Sequence, residues 1–137
     1  MVTRWLFLIA CAGALPLAGE PKANFTGTWK LEEKAAQAPG PRNIVFRIEH
    51  REPNFKYSAT GQTAEGEPFT ETVAFTTDGK EHPGLYSGTV VGRWKGETVV
   101  IEFTINGKPF VVELRLSADG KRMFRDVMGL HETYDRR

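Results

Sequence analysis

The chain has 137 residues, 18 Lys and Arg against 17 Asp and Glu, 40% hydrophobic residues, 14 glycines, 8 prolines and a single cysteine. That is one domain's length with a modest core, too ordered in composition for a disordered tail and too poor in cysteine for a disulfide-stapled miniprotein. A formal charge of +1 without any basic block gives no electrostatic footprint for nucleic acid.

Residues 1–4 are short and basic, and residues 5–14 (WLFLIACAGA) form an apolar run closed by Leu15-Pro16-Leu17-Ala18-Gly19. Such a run is about half of the roughly 20 residues needed to cross a hydrocarbon core. The pattern is that of a secretory signal over residues 1–19, removed on export. The mature chain, residues 20–137, is then a single periplasmic or extracellular domain without a transmembrane segment. It has no cysteine, hence no thiolate metal site or Cys nucleophile. The alternatives are a buried N-terminal helix, or a lipid on Cys11, because Leu8-Ile9-Ala10-Cys11 has the form of a lipoprotein box.

Residues 30–38 (KLEEKAAQA) have helix-forming composition, but Pro39-Gly40-Pro41 limits them to a turn or two. Beyond them the apolar pattern has period two, cut by turn signals roughly every eight to twelve residues. Partners across a hairpin must face the same side, so the turns can be checked against one another. A turn at Glu52-Pro53-Asn54 sets His50 opposite Phe55, Ile48 opposite Tyr57 and Phe46 opposite Ala59. Phe69, Val73 and Phe75 continue that dry face, with Thr70, Thr72 and Thr76 on the wet one. A turn at Lys95-Gly96 puts Val90 and Trp94 on the side of Ile101 and Phe103. Asn106-Gly107 favours a two-residue type I′ loop, pairing Phe103 with Phe110, Ile101 with Val112 and Val99 with Leu114. Turns at Asp119-Gly120 and Met128-Gly129 pair Leu114 with Arg125, Arg125 with Glu132, and Met123 with Tyr134.

Nine strands are counted in this way, the first included, with Glu81–Gly84 read as a loop. A meander with one dry face must hide that face on itself. The expectation is therefore an all-β fold, an up-and-down antiparallel β-barrel of 8–10 strands, which also removes exposed edges. A barrel of about eight strands has an interior just filled by side chains or holding one small ligand.

The opening Asn24-Phe25-Thr26-Gly27-Thr28-Trp29-Lys30-Leu31 resembles the Gly-x-Trp start of the lipocalin and fatty-acid-binding barrels. It looks closer still to bacterial exported lipocalin-like proteins. The stretches Thr77-Asp78-Gly79-Lys80-Glu81-His82-Pro83 and Ser117-Ala118-Asp119-Gly120-Lys121 resemble that group too. The resemblance implies a calycin-type, ligand-binding barrel. In it Gly27 lets the first strand bend across the floor and Trp29 plugs that end under a late-strand arginine, Arg125 or Arg136. Fatty-acid-binding barrels hold a carboxylate with Arg-x-Tyr on the final strand. This chain has Glu132-Thr133-Tyr134 there, with the arginine one strand earlier.

Phe46, Tyr57, Phe75, Tyr86, Trp94, Phe103 and Phe110 fall on the inner parity, either as stacking area for a flat apolar ligand or as ordinary core. Gly88 and Gly92 open room among them or let the strand coil. Arg125, Glu132 and Tyr134 also point inward, with Glu71 either joining them or facing water on a bulge. A buried arginine must be paired. The group is thus a structural Arg125–Glu132 bridge or a polar anchor for the head of a small ligand.

His50, His82 and His131 lack metal-ligand spacing, and His50 is the one placed at a barrel rim. Neither a metal nor a cofactor is expected. Ser58, Ser87 and Ser117 lie outside any G-x-S-x-G elbow, Glu102 and Glu113 face outward, and no Gly-rich phosphate loop precedes a helix. Nothing in the sequence supports catalysis. The expected function is non-covalent binding of a small hydrophobic or amphipathic molecule, with Phe46, Tyr57, Phe75, Tyr86, Trp94, Phe103, Arg125 and Tyr134 around it and Gly27, Trp29 and Glu132 structural. The alternative is a packed barrel that contacts another exported protein. An interior volume of about 300 Å³ or more favours the first.

Overall fold

Ten antiparallel strands follow one another along the chain: β1 (Gly27–Leu31), β2 (Arg42–Arg51), β3 (Asn54–Gln62), β4 (Pro68–Thr76), β5 (Asp78–Pro83), β6 (Thr89–Lys95), β7 (Thr98–Ile105), β8 (Lys108–Leu116), β9 (Arg122–Val127) and β10 (Leu130–Arg136). The structure, a computed structural model, describes residues 23–32 and 40–137. The expected signal segment 1–19 and most of the helix-forming stretch 30–38 lie outside the described residues. Among the described residues there is no α-helix, only a single 3-10 turn at Leu85–Ser87. None of these elements is a helix long and apolar enough to cross a membrane.

The hairpin registers read from alternation are the observed ones. Phe46 faces Ala59, Phe103 faces Phe110, Leu114 faces Arg125, and Arg125 faces Glu132. Asn106 and Gly107 both have positive φ (53° and 76°), and Met128 and Gly129 do as well (50° and 83°). Two-residue loops of this hand match the twist of the strands they join.

The tenth strand is a correction. Residues 78–83, expected as turn and loop, form β5 and pair with β6. β5 is polar on both faces and almost wholly exposed, so hydropathy alternation cannot reveal it. It is an edge strand. The sheet runs β4-β3-β2-β1-β10-β9-β8-β7-β6-β5, so its two edges, β4 and β5, are consecutive in the chain and face one another across a seam without ladder hydrogen bonds. Side chains close that seam. The Phe75 ring on β4 fills the space that a Cβ on Gly92 of β6 would need, and Thr76 Oγ1 lies 2.7 Å from His82 Nε2. Gly92 therefore opens no cavity. Gly88 opens none either, because it packs against the Thr104 carbonyl.

In a meander, successive turns alternate between the two ends of the barrel. One end, the floor, receives the turns after β2, β4, β6 and β8. The other, the mouth, receives those after β1, β3, β5, β7 and β9. The floor is solid. Phe25 and Trp29 are fully buried, and the Trp29 indole N–H donates to the Phe25 carbonyl at 2.9 Å. Arg136 lies over the Trp29 ring, its guanidinium carbon 4.3 Å from the centroid, and donates to the carbonyls of Thr26 (2.7 Å) and Gly120 (3.0 Å). Of the two arginines considered for this place, Arg136 takes it. Gly27 has φ +148°, and a Cβ there would sit 2.6 Å from the Arg136 guanidinium, so a glycine allows both the backbone and the close approach.

Each of the two later stretches that carried the resemblance holds an Asp-centred turn, the first of them leading into β5. Ser117 Oγ and the Lys121 amide donate to Asp119 Oδ1 at 2.7 and 3.0 Å. Thr76 Oγ1 and the Lys80 amide do the same to Asp78 Oδ1 at 2.6 and 3.2 Å. Both bends use the turn chemistry of Asp beside Gly.

Candidate ligand-binding site

The inner face of the barrel is filled from the floor upward. Phe55 stacks on Phe75 with centroids 4.9 Å apart and Phe103 on Phe110 at 5.1 Å, while Val90, Val99, Ile101, Leu114 and Met123 are buried between them. Toward the mouth the packing stops short. A pocket of about 210 Å³ remains, lined by Pro41, Ile44, Phe46, Ala59, Phe69, Glu71, Arg125, Glu132 and Tyr134. Its walls come from β2, β3, β4, β9 and β10, strands whose inward positions follow from the hairpin registers above.

The polar groups of this pocket form one connected set. Arg125 Nη1 donates to Glu132 Oε1 at 2.8 Å, and the Tyr134 hydroxyl donates to the same oxygen at 2.8 Å. The Arg125 guanidinium carbon stands 5.6 Å from the Phe46 centroid, and the Tyr134 ring meets Phe46 edge-on at 5.2 Å. Burial works against the Arg125 cation, yet Tyr134 and Glu132 beside it outweigh that and raise its pKa. Burial pushes the phenols of Tyr57 and Tyr134 far upward. Arg125 opposes this at both, whereas Glu71 adds to it at Tyr57 and Glu132 at Tyr134. Both hydroxyls therefore stay protonated and can donate. Both readings of Arg125 in the sequence find a footing: the bridge to Glu132 exists, and it stands on the wall of an apolar pocket.

Of the residues expected around a ligand, Phe46, Arg125 and Tyr134 line the pocket, and Tyr57 packs behind it against Phe46 at 5.2 Å. Phe75 and Phe103 are core, buried away from it. Tyr86 is a correction. It sits in the 3-10 turn with φ +50° and is 70% exposed, because two-residue alternation does not carry through a 3-10 turn. Its hydroxyl reaches Glu71 Oε2 at 3.4 Å from outside. Trp94 is half-buried at the floor, where its indole N–H donates to Glu52 Oε2 at 2.9 Å. Glu71, left open between interior and water, lines the pocket. Ile44 and Pro41 were not foreseen. Ile44 shares Phe46's parity, so its direction was available, but its closeness to the Pro39-Gly40-Pro41 turn hid its role.

His50 is not an open rim histidine. It is buried, its Nδ1 accepts from the Phe25 amide at 3.2 Å, and its Nε2 meets Glu52 Oε1 at 2.9 Å. With Nδ1 accepting, the proton is on Nε2 and is donated to Glu52, so both ring nitrogens are occupied. Thr77 Oγ1 donates to the same carboxylate at 2.7 Å. A depression of about 610 Å³ opens beside this cluster, lined among others by Thr26, Glu49, His50, Arg51 and Lys56. Its buried polar members already satisfy one another: Thr26 Oγ1 accepts from the His50 amide at 2.9 Å and donates to the His50 carbonyl at 3.1 Å. The depression too has an apolar wall, of Phe55, Ala74 and Phe75; the mouth pocket is the one whose wall carries the inward-facing Arg125–Glu132–Tyr134 set. No group of three or more His, Cys, Asp or Glu placed to hold a metal occurs among the described residues.

No family model matches the chain, and no curated protein matches it. Solved structures do match in shape. A protein described as the REP1-NXSQ fatty acid transporter is 14% identical with a TM-score of 0.59, over 82% of this chain and 95% of that one. Two mutants of the fluorescent protein UnaG are 18% and 16% identical, with TM-scores of 0.57 and 0.55, each over 82% of this chain and at least 95% of its own. At these identities the likeness establishes the fold alone, an up-and-down antiparallel β-barrel.

Proposed function

We propose that the protein binds one small amphipathic molecule in the mouth pocket, its apolar part among Ile44, Phe46, Ala59 and Phe69 and its polar head among Glu71, Arg125, Glu132 and Tyr134. The observation that carries this reading is the coincidence of an unfilled apolar recess with a connected, half-buried polar set on its wall, the usual composition of a small-molecule site. That one shape neighbour is described as a fatty acid transporter supports it. The volume of about 210 Å³ does not reach the roughly 300 Å³ that favours binding over a packed barrel, so the reading is confined to a short-chain ligand. Binding, with no chemical step, is the whole of the proposed activity.

The test is a titration of the purified protein, followed by amide resonances, with a panel of six- to ten-carbon alcohols, amines and acids. Saturable shifts at Ile44, Phe69 and Glu71, abolished by Ala59→Leu with the barrel's circular dichroism retained, are expected. No saturable shift at these positions with any panel member overturns the proposal.

We further propose that the chain is exported and belongs with the bacterial lipocalin-like proteins its Asn24–Leu31 motif resembles. The apolar run of residues 5–14 supports this. N-terminal sequencing of the protein recovered from cells should begin near residue 20, and retention of Met1 overturns it.

A second reading has one observation in its favour. Met128 and Tyr86, at turns of the mouth end, are 77% and 70% exposed, as a packed barrel contacting another exported protein would have them. Loss of a co-purifying partner on Met128→Lys, with the amphiphile panel silent, would select it.

A further inference from the structure

We infer that the head group selected by the mouth pocket is a cation, an alkylammonium, and that a carboxylate is disfavoured. The inference rests on the binding reading above and gives it a ligand class.

The argument is a charge count on the pocket wall. Its ionisable lining residues are Glu71, Arg125 and Glu132, two carboxylates against one guanidinium. Arg125 and Glu132 neutralise each other at 2.8 Å, and Tyr134 occupies the same Glu132 oxygen. Glu71 is left over. Among the described residues it has no ion-pair partner within 4 Å, and its recorded hydrogen bond is a long one, 3.4 Å from the exposed Tyr86 hydroxyl. On β4 it pairs with Ala59 of β3, which lines the same pocket. A guest entering there meets a net negative wall of limited solvent access, where Coulomb interactions exceed their strength in water. An ammonium supplies Glu71 with the ion-pair partner it lacks among the described residues. A carboxylate would bring a third negative group into the pocket, and it would have to compete with Glu132 for Arg125.

The probes are octylammonium, octanol and octanoate, three heads on one chain. A group the size of a water takes about 30 Å³, so the recess holds roughly seven such groups and the end of each probe extends out of the mouth. Dissociation constants are measured by resonance shifts at Ile44 and Phe69, at neutral pH and low salt, for the wild type and Glu71→Gln. The expected order is octylammonium tightest, by about tenfold or more over octanoate, and Glu71→Gln should reduce that ratio about tenfold. Octanoate binding as tightly as octylammonium, or a ratio unchanged in Glu71→Gln, overturns the inference while leaving the binding proposal standing. Silence from all three probes overturns both.

Discussion

Phe75 lies in the space that a side chain on Gly92 would occupy, so the one seam of the barrel without ladder hydrogen bonds is closed by a ring over a glycine. Gly92→Ala should therefore destabilise by about 1–3 kcal/mol through overpacking, although alanine is ordinarily better than glycine in a strand. Urea unfolding of Gly92→Ala, Phe75→Leu and the double variant tests this. The loss from Gly92→Ala should shrink in the Phe75→Leu background, and additive losses would mean that the two residues do not meet.

Arg136 ties the last strand to the floor through Trp29 and two carbonyls. Arg136→Ala should cost about 1 kcal/mol, since Arg136 is itself exposed and a cation–π contact at an exposed cation contributes about 0.5–1. Arg136→Lys should recover little, because an ammonium lacks the planar fork that serves ring and carbonyls together. Equal midpoints for wild type and Arg136→Ala would show the contact to be without effect.

Arg125→Ala leaves Glu132 with Tyr134 alone. A destabilisation of about 2 kcal/mol is expected, less than for a fully buried pair, because both side chains are about one-fifth exposed. Replacing both partners by leucine should be nearly neutral in stability, while altering the affinity of any pocket ligand. A stability loss in the double variant as large as in Arg125→Ala would contradict this.

Acid should act through Glu52. Burial opposes its ionisation, but hydrogen bonds from His50, Thr77 and Trp94 prevail and hold its carboxyl below the ordinary 4.5. A lowered folded value means that the unfolded chain takes up the proton first as pH falls. The stabilisation is complete above about pH 4.5 and is lost as pH drops through the folded value. Denaturation at pH 7 and at pH 3 should show a smaller difference for Glu52→Gln than for the wild type.

Alkali should act through Tyr57 and Tyr134, both raised far above the ordinary 10.0 by burial. Here the sign reverses. Their contribution is complete below pH 10 and falls above it, where the unfolded chain loses phenolic protons that the folded one keeps. Tyr57→Phe should flatten the stability profile above pH 10, and phenolate absorbance from these two rings should appear only with unfolding. Phenolate signal from them in the folded state would contradict their placement.

How much of this was legible in the sequence depended on whether a residue had a dry side. Strands such as β3 and β7 alternate, so their registers follow residue by residue, and parity alone sets Arg125 opposite Glu132. β5, polar on both faces, left no such trace. Parity gave direction but not depth. Phe46 and Phe75 both point inward, yet one lines the recess and the other closes the seam, and that difference depends on how ten strands fill a shared interior. Tyr86 failed for a local reason, since a 3-10 turn between two strands breaks the count.

The pairing of Lys30 with Asp135 joins the first strand to the last, so the barrel has no smaller version of itself. A polypeptide stopped anywhere before β10 would present β1 as a bare flank, available to any other extended segment. Truncation products should therefore clump, and a fusion partner should be tolerated beyond Arg137 far better than one inserted within the final seven-residue strand.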